Sequence, residues 1–259
     1  MRIALGVEYD GTNFCGWQSQ PNLCGVQDSI EAAIAKLAGH AIRIHAAGRT
    51  DTGVHALIQV VHFDSEVLRP LTAWVRGLNA FLPKSVRVMW AKCVTDDFHA
   101  RFSAASRHYQ YLLIHQATAP AIYADKAGWY HSPLNVVAMQ EGIAHLQGEH
   151  DFSAFRASHC QAKSPNRHLI AASIESYQSF IIFNFSANAF LQHQVRNMVG
   201  ALIYVGNGKY TPSKIVDLLN AKDRRFAPPT FSPNGLYLTG VSYDQTFGLP
   251  NTQRVLSIL

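Results

Sequence analysis

The segment RIALGVE at residues 2–8 is apolar almost throughout and ends at the turn dipeptide Asp10-Gly11, a pattern that predicts a first strand leaving the core. From Val26 the apolar positions recur at Ile30, Ile34 and Leu37, with Gly39 just beyond. That four- and three-residue spacing predicts a helix with one buried face, stopped at a glycine. Strands are predicted over 42–47 and 57–63, on either side of the polar loop Gly48-Arg49-Thr50-Asp51-Thr52-Gly53. A polar loop between two buried segments is held by the core. A helix over 71–82, ended by Pro83, and a strand over 86–94 complete a β-α-β-β-α-β order.

The remainder reads as a variation on this plan. It predicts a strand over 109–115, a helix over 136–146, strands over 170–176 and 180–186, and a long helix from about Phe190. A short helix over 212–220, a proline-broken stretch over 227–233 and a last strand over 236–243 follow. The fold class predicted is α+β, in two related halves: residues 1–103, which carry the polar loop, and residues 104–259. No exact repeat and no low-complexity linker interrupts them.

Composition narrows the class. Of 259 residues 48% are apolar and 15% charged, which excludes a disordered or collagen-like chain. Twenty-two Lys and Arg against seventeen Asp and Glu leave a formal +5, and thirteen histidines can add to it, a balance that favours a polyanionic partner. The first residues, MRIALGVEYDG, have no long apolar region of the secretory kind, and no apolar stretch approaches the ~18 residues of a membrane span. The four cysteines, Cys15, Cys24, Cys93 and Cys160, show no CxxC and no zinc-type spacing. The expectation is a cytoplasmic chain with four reduced thiols and no membrane segment. His159-Cys160 and His168 do not make a metal-ligand set, and no metal is expected.

The loop Gly48-Arg49-Thr50-Asp51-Thr52-Gly53-Val54-His55-Ala56 carries the most chemistry. Flanking glycines let a ligand approach the backbone, and a cation two residues from a carboxylate favours the ionised form, which suits a nucleophile and not a general acid. Asp51-Thr52-Gly53 also spells the DTG of aspartic peptidases. That chemistry needs two carboxylates sharing a proton, whereas this chain has one DTG with Arg49 beside it.

GRTDTGVHA resembles the signature of the tRNA pseudouridine synthase A family, and further family-like segments follow in order. They are Tyr9-Asp10-Gly11 with Gly16-Trp17-Gln18, then Asp97-Phe98-His99-Ala100-Arg101-Phe102-Ser103, and Arg107-His108-Tyr109-Gln110-Tyr111. Asp151-Phe152-Ser153 with Phe155-Arg156, Asn188-Ala189-Phe190 with Val195-Arg196-Asn197, and Gly235-Leu236-Tyr237-Leu238 extend the likeness over nearly the whole chain. The resemblance implies the pseudouridine synthase fold, with antiparallel sheets joined across a central cleft flanked by helices. It implies isomerisation of uridine to pseudouridine at positions 38, 39 and 40 of the tRNA anticodon stem-loop, without metal or organic cofactor, by a homodimer.

The resemblance also assigns roles. Asp51 aligns with the nucleophile, attacking C1′ of the ribose or C6 of the uracil. Arg196 aligns with its salt-bridge partner and Arg49 with a residue that fills the gap left by the flipped nucleotide. Tyr109 aligns with the tyrosine that stacks on the uracil, and Leu236 with an apolar residue on the site's other face, while Tyr111 reads as core. Glycoside hydrolysis normally wants two carboxylates; an isomerisation that keeps both fragments and uses no water can run with one. Arg101, Arg107, Lys163, Arg167, Lys222, Arg224 and Arg225 are the candidate phosphate contacts. Trp17 and His55 read as structural. A binding-only protein that had lost its chemistry would show erosion at Asp51, Tyr109 or Arg196, and all three are present.

Overall fold

The structure, a computed structural model, describes residues 1–256. The chain forms two compact units: Met1–Ser106 together with the chain from Tyr237 onward, and Arg107–Leu236. In the first unit, β1 (Arg2–Tyr9), α1 (Val26–Ala38), β2 (His45–Ala46), β3 (His55–Asp64), α2 (Leu71–Phe81) and β4 (Val86–Val94) follow the predicted order. β1 is apolar along most of its length because its side chains are buried on both faces, and its two edges pair antiparallel to β3 and to β4. α2 buries Trp74, whose ring meets Phe63 of β3 edge-on at 5.3 Å. One helix turn further on, the Asn79 side-chain amide donates to Val88 O and accepts from Val88 N–H, both at 2.8 Å, and fastens α2 to β4.

The second unit is built on β5 (Ala104–His115), β6 (Gly128–Tyr130), α3 (Val136–Ala144), β7 (Gly148–Asp151), β8 (Asn166–Tyr177), β9 (Phe180–Ala187), α4 (Gln194–Gly206) and α5 (Lys214–Ala221). Its ladder runs β5-β9-β8-β7, antiparallel throughout, with the short β6 parallel to β5. α4 is the central helix, buried on nearly every face from Gln194 to Gly206.

The chain returns in β10 (Leu236–Tyr243), which pairs with β3 in parallel, Tyr237 opposite His55 and Leu238 opposite Ala56. The α+β class is as predicted, but the sheets are mixed, with parallel pairs at β3–β10 and β5–β6 among antiparallel ones. Residues 237 onward, read from sequence as part of a half spanning 104–259, belong to the first unit; residues 257–259 of that span lie outside the described residues.

Other differences have local causes. The strand predicted over 42–47 shrinks to two residues because the Ile44 N–H is taken by the Glu31 carboxylate (3.1 Å) and not by a neighbouring strand. The helix predicted from Phe190 starts at Gln194 because His193 holds a left-handed backbone (φ 63°), outside helical geometry. β7, Gly-Glu-His-Asp, offers no apolar alternation and was not predicted, and β8, predicted over 170–176, begins four residues earlier, in the polar run Asn166-Arg167-His168.

In the first unit His45, His62 and His99 form a cluster with ring centroids 4.6–5.5 Å apart, His45 stacked on His62 and His99 edge-on to His62. His62 is buried, and its Nδ1 accepts from Ala100 N–H at 3.2 Å. Burial, reinforced by the neighbouring His99 and His45, pushes its pKa down to about 4. A histidine whose folded pKa lies below the ordinary 6.5 leaves the unfolded chain binding more protons between those values, so its contribution to stability is complete at neutral pH and is lost as pH falls from about 6.5 toward 4. His99 is shifted in the same direction by burial. The melting temperature is therefore expected to drop between pH 7 and pH 5, and to drop less in His62→Gln, which keeps an acceptor and does not titrate. Equal pH dependence in thermal melts of both proteins would refute this.

Candidate active site

The polar loop is fixed by its neighbours in sequence and in space. Ala47 N–H bonds to Val60 O (2.9 Å), Gln59 Nε2 donates to Gly48 O (2.8 Å), and Val54 N–H closes a turn onto Asp51 O (3.1 Å). Between them Thr50 is buried and is held twice. Its hydroxyl shares a 2.8 Å hydrogen bond with the Tyr9 hydroxyl, and its carbonyl accepts from Trp17 N–H at 3.0 Å. Asp51 follows on this fixed peptide, half-buried, while Arg49 is exposed. The loop thus presents one carboxylate with a determined backbone.

Trp17 is buried against Tyr9, rings 5.7 Å apart, and supports the loop, as the sequence reading expected. Its predecessor Gly16 has φ +96°, and a Cβ there would lie 2.8 Å from Thr50 O. Only glycine allows the two loops to touch. The same support loop carries a departure from expectation: Cys15 N–H bonds to Cys24 O (3.0 Å), the Cα atoms stand 5.4 Å apart, and the two sulfurs are joined. Chain folding brings together two cysteines that sequence spacing kept apart, so four reduced thiols is corrected to one disulfide with Cys93 and Cys160 free. His55 is structural as expected, its Nδ1 accepting from Gly11 N–H (3.1 Å) and its ring stacked on Tyr237 at 4.7 Å. Burial, with Asp10 nearby, holds the Tyr237 phenol well above its ordinary pKa.

The remaining candidates except Arg101, which is exposed in the first unit, lie in the second unit. Tyr109, on β5 opposite Phe185 of β9, is 9% exposed, and Phe190 meets its ring edge-on at 5.1 Å. Tyr111, on the same strand face, is fully buried and donates to Ser232 O (2.8 Å), a core residue as expected. Burial holds His108, which precedes Tyr109, below the usual imidazole range. Arg196, in the first turn of α4, donates from Nε to Phe231 O at 2.9 Å. Leu236 is buried at the start of β10, after a turn in which its N–H bonds to Pro233 O. The approach to Leu236, unreadable in sequence, is thereby set.

The candidate phosphate contacts divide. Arg107 donates to Asn188 O, and Arg167 to Ser164 O and Asn166 O. Lys222 stands 3.9 Å from Asp151, and Arg225 pairs with Asp223 at 2.6 Å. Arg224 is turned inward, toward Asn197, Ala227 and Thr230, so it is not available as its sequence context suggested. Sequence reasoning also missed Tyr9 and Gln59 as supports of the loop; only the pairing of distant strands exposes them. Among the described residues, no group of three or more His, Cys, Asp or Glu side chains is arranged to hold a metal ion, and no helix is long and apolar enough to cross a membrane.

The family model for tRNA pseudouridine synthase matches residues 6–103 and 143–244. The chain is similar to tRNA pseudouridine synthase A of Methylobacillus flagellatus, with 63% identity over 258 residues, covering all of this chain and 99% of that protein. It is 56% identical over 252 residues to tRNA pseudouridine synthase A of Chromobacterium violaceum (97% and 96% covered). It is 54% identical over 250 residues to that of Nitrosomonas eutropha (96% and 90% covered).

Gly16→Ala is expected to destabilise the first unit by about 2 kcal/mol or more, from the left-handed backbone and the clash with Thr50 O. For a chain of this size that is a fall in melting temperature of about 5 °C. A variant that melts with the wild type would show that the two loops are not in the tight contact described.

Proposed function

The chain belongs to the tRNA pseudouridine synthase family, and from that premise we propose that it isomerises uridines 38, 39 and 40 of the tRNA anticodon stem-loop with Asp51 as nucleophile. The reaction breaks the N1–C1′ bond, turns the uracil and joins C5 to C1′. N1 gains a proton, C5 loses one, and no water or redox partner enters. A single carboxylate suffices because the base is never released to solvent and no second group has to activate water. Whether Asp51 adds to C1′ or to C6, the attacking form is the carboxylate.

What supports Asp51 in this role is its backbone: the peptide that precedes it is held by the Tyr9 hydroxyl and the Trp17 N–H, so the carboxylate approaches its target without a search over loop conformations. A uridine within a stem is out of reach until flipped. In this reading Arg49, exposed beside the nucleophile, occupies the vacated place in the stack, Tyr109 packs on the uracil and Leu236 bounds its other face. Arg196 pairs with Asp51 and holds it charged and oriented. Arg101 and Arg107 contact the RNA backbone. The working form in this reading is a homodimer in the cytoplasm, acting without metal or organic cofactor.

Asp51→Asn tests the assignment. Pseudouridine formation in unmodified tRNA, mapped by a pseudouridine-specific chemical stop, is expected to fall by more than about 10³-fold. tRNA affinity and melting temperature are expected to stay near wild type. Substantial activity in the variant would move the chemistry to another residue. A wild-type protein that binds tRNA and modifies none of the three positions would overturn the substrate assignment.

A further inference from the structure

The segment from Arg224 to Leu236, in which Thr230-Phe231-Ser232-Pro233 carries no motif, runs as a strap that contacts Arg196 and leads into Leu236, two of the residues assigned above. It lies directly on α4: a Cβ at Gly200 would stand 2.8 Å from Pro229 O. The Phe231 carbonyl accepts from Arg196 Nε at 2.9 Å, and Phe231 N–H returns a 3.4 Å bond to Arg196 O. One residue on, Ser232 O accepts from the Tyr111 hydroxyl, and Gly235 O accepts from Leu112 N–H at 2.8 Å. Gly235 itself admits no side chain, since a Cβ would fall 2.2 Å from Leu112 O. The strap then ends at Leu236.

Arg224 anchors its beginning. Nη1 donates to Ala227 O (2.8 Å), and Nη2 donates both to Asn197 Oδ1 (3.2 Å) and to Thr230 Oγ1 (3.3 Å). Asn197 is the residue after Arg196, is completely buried, and is itself locked by donating from Nδ2 to Phe155 O at 2.7 Å. All the acceptors of Arg224 are uncharged, so the guanidinium is half-buried without the carboxylate that would ordinarily accompany it, and burial pushes its pKa down. Such a cation is weakly justified as a stability device. Its planar fork, however, spans a helix and a loop in one geometry, which no other side chain does.

We infer that Arg224 is a positioning residue for the isomerisation: by fixing the strap on α4 it places the Phe231 carbonyl, and that carbonyl sets the orientation of the Arg196 guanidinium. The inference rests on the reading of Arg196 as partner of the nucleophile. An arginine pinned at Nε has its guanidinium plane determined, and the terminal nitrogens point where the pin directs them. Without Arg224 the strap loses its register against Asn197, the acceptor for Nε shifts, and Arg196 is mis-aimed although nothing in the tRNA contact surface has changed.

The test is a kinetic cycle on the full protein with unmodified tRNA, comparing Arg224→Ala, Arg224→Lys, Arg196→Ala and the double Ala variant. Arg224→Ala is expected to lower kcat by about 10- to 100-fold, the scale of a small misplacement at a reacting centre, with KM for tRNA within about twofold of wild type. Arg224→Lys is expected to recover little, since an ammonium cannot span the three acceptors. The double variant is expected to be no slower than Arg196→Ala alone, because one loss contains the other. Multiplied losses in the double variant, or a raised KM with kcat intact, would overturn the inference, the second by making Arg224 an RNA contact. Wild-type kcat in Arg224→Ala beside a slow Arg196→Ala defeats the inference alone, whereas wild-type kcat in Arg196→Ala defeats the reading it rests on. If Arg224→Ala fails to fold, Arg224→Lys and Thr230→Val decide: both are expected to lower kcat at unchanged KM, and wild-type kcat in both overturns the inference.

Discussion

The role proposed for Asp51 depends on one buried residue, Thr50. Thr50 has its side chain and its carbonyl committed to partners outside its loop, Tyr9 on β1 and Trp17 in the loop after it. Asp51 inherits its position from that arrangement. The hydrogen bonds are individually worth about a kilocalorie each, but they are buried, and leaving either group unpaired would cost more than the bond gains. The loop is therefore not a flexible connection that happens to carry a carboxylate. It is an extension of the core strands β1 and β3, and its reach toward solvent ends at Asp51 and Arg49.

The second unit follows a different plan. Its assigned residues sit on three separate elements, Tyr109 on β5, Arg196 on α4 and Leu236 at the start of β10, and the irregular strap bonds to Arg196 on α4 and to Tyr111 and Leu112 on β5 before it runs into β10. Irregular backbone is tolerated there because several of its carbonyls are taken up: Phe231 by Arg196, Ser232 by the Tyr111 hydroxyl, Gly235 by Leu112 N–H and Ala227 by Arg224. A regular strand could not have met α4, β5 and the turn into β10 at successive residues. Loss of periodicity is what lets one short segment serve three directions.

The regular part of the fold was legible in the sequence where a buried face imposed a period. β1, α1, α2, β4 and β10 stand within a residue or two of their predicted limits because their apolar positions repeat at the spacing of the element. β7 escaped notice because GEHD has no such period, and the start of α4 was misplaced by His193, a residue whose left-handed backbone no hydropathy pattern encodes. At the candidate site, the loop around Asp51 was legible as a motif, and Trp17, His55 and Tyr111 as structural residues. The role of Arg224 was not, because the charged run Lys222-Asp223-Arg224-Arg225 looks like a solvated surface until Asn197 is seen across from it. The Cys15–Cys24 bond was invisible for the same reason: it is made by a loop closure, not by a spacing.

The parallel pairing of β10 with β3 has a bearing on how the molecule comes into being. The strand that leads out of the Asp51 loop meets Tyr237 and Leu238, residues separated from it by the entire second unit. During synthesis at about 5–20 residues per second, the ribosome emits the loop first and its flanking partner on the order of ten seconds or more later. A nascent chain halted anywhere in the second unit carries the whole signature GRTDTGVHA, with β2 already able to pair with β3 at Val61 and His62 but the β10 edge at His55 and Ala56 still bare. The loop proposed to carry the nucleophile is thus made early, while the strand that leads out of it gains its β10 partner only when residues 237–238 emerge.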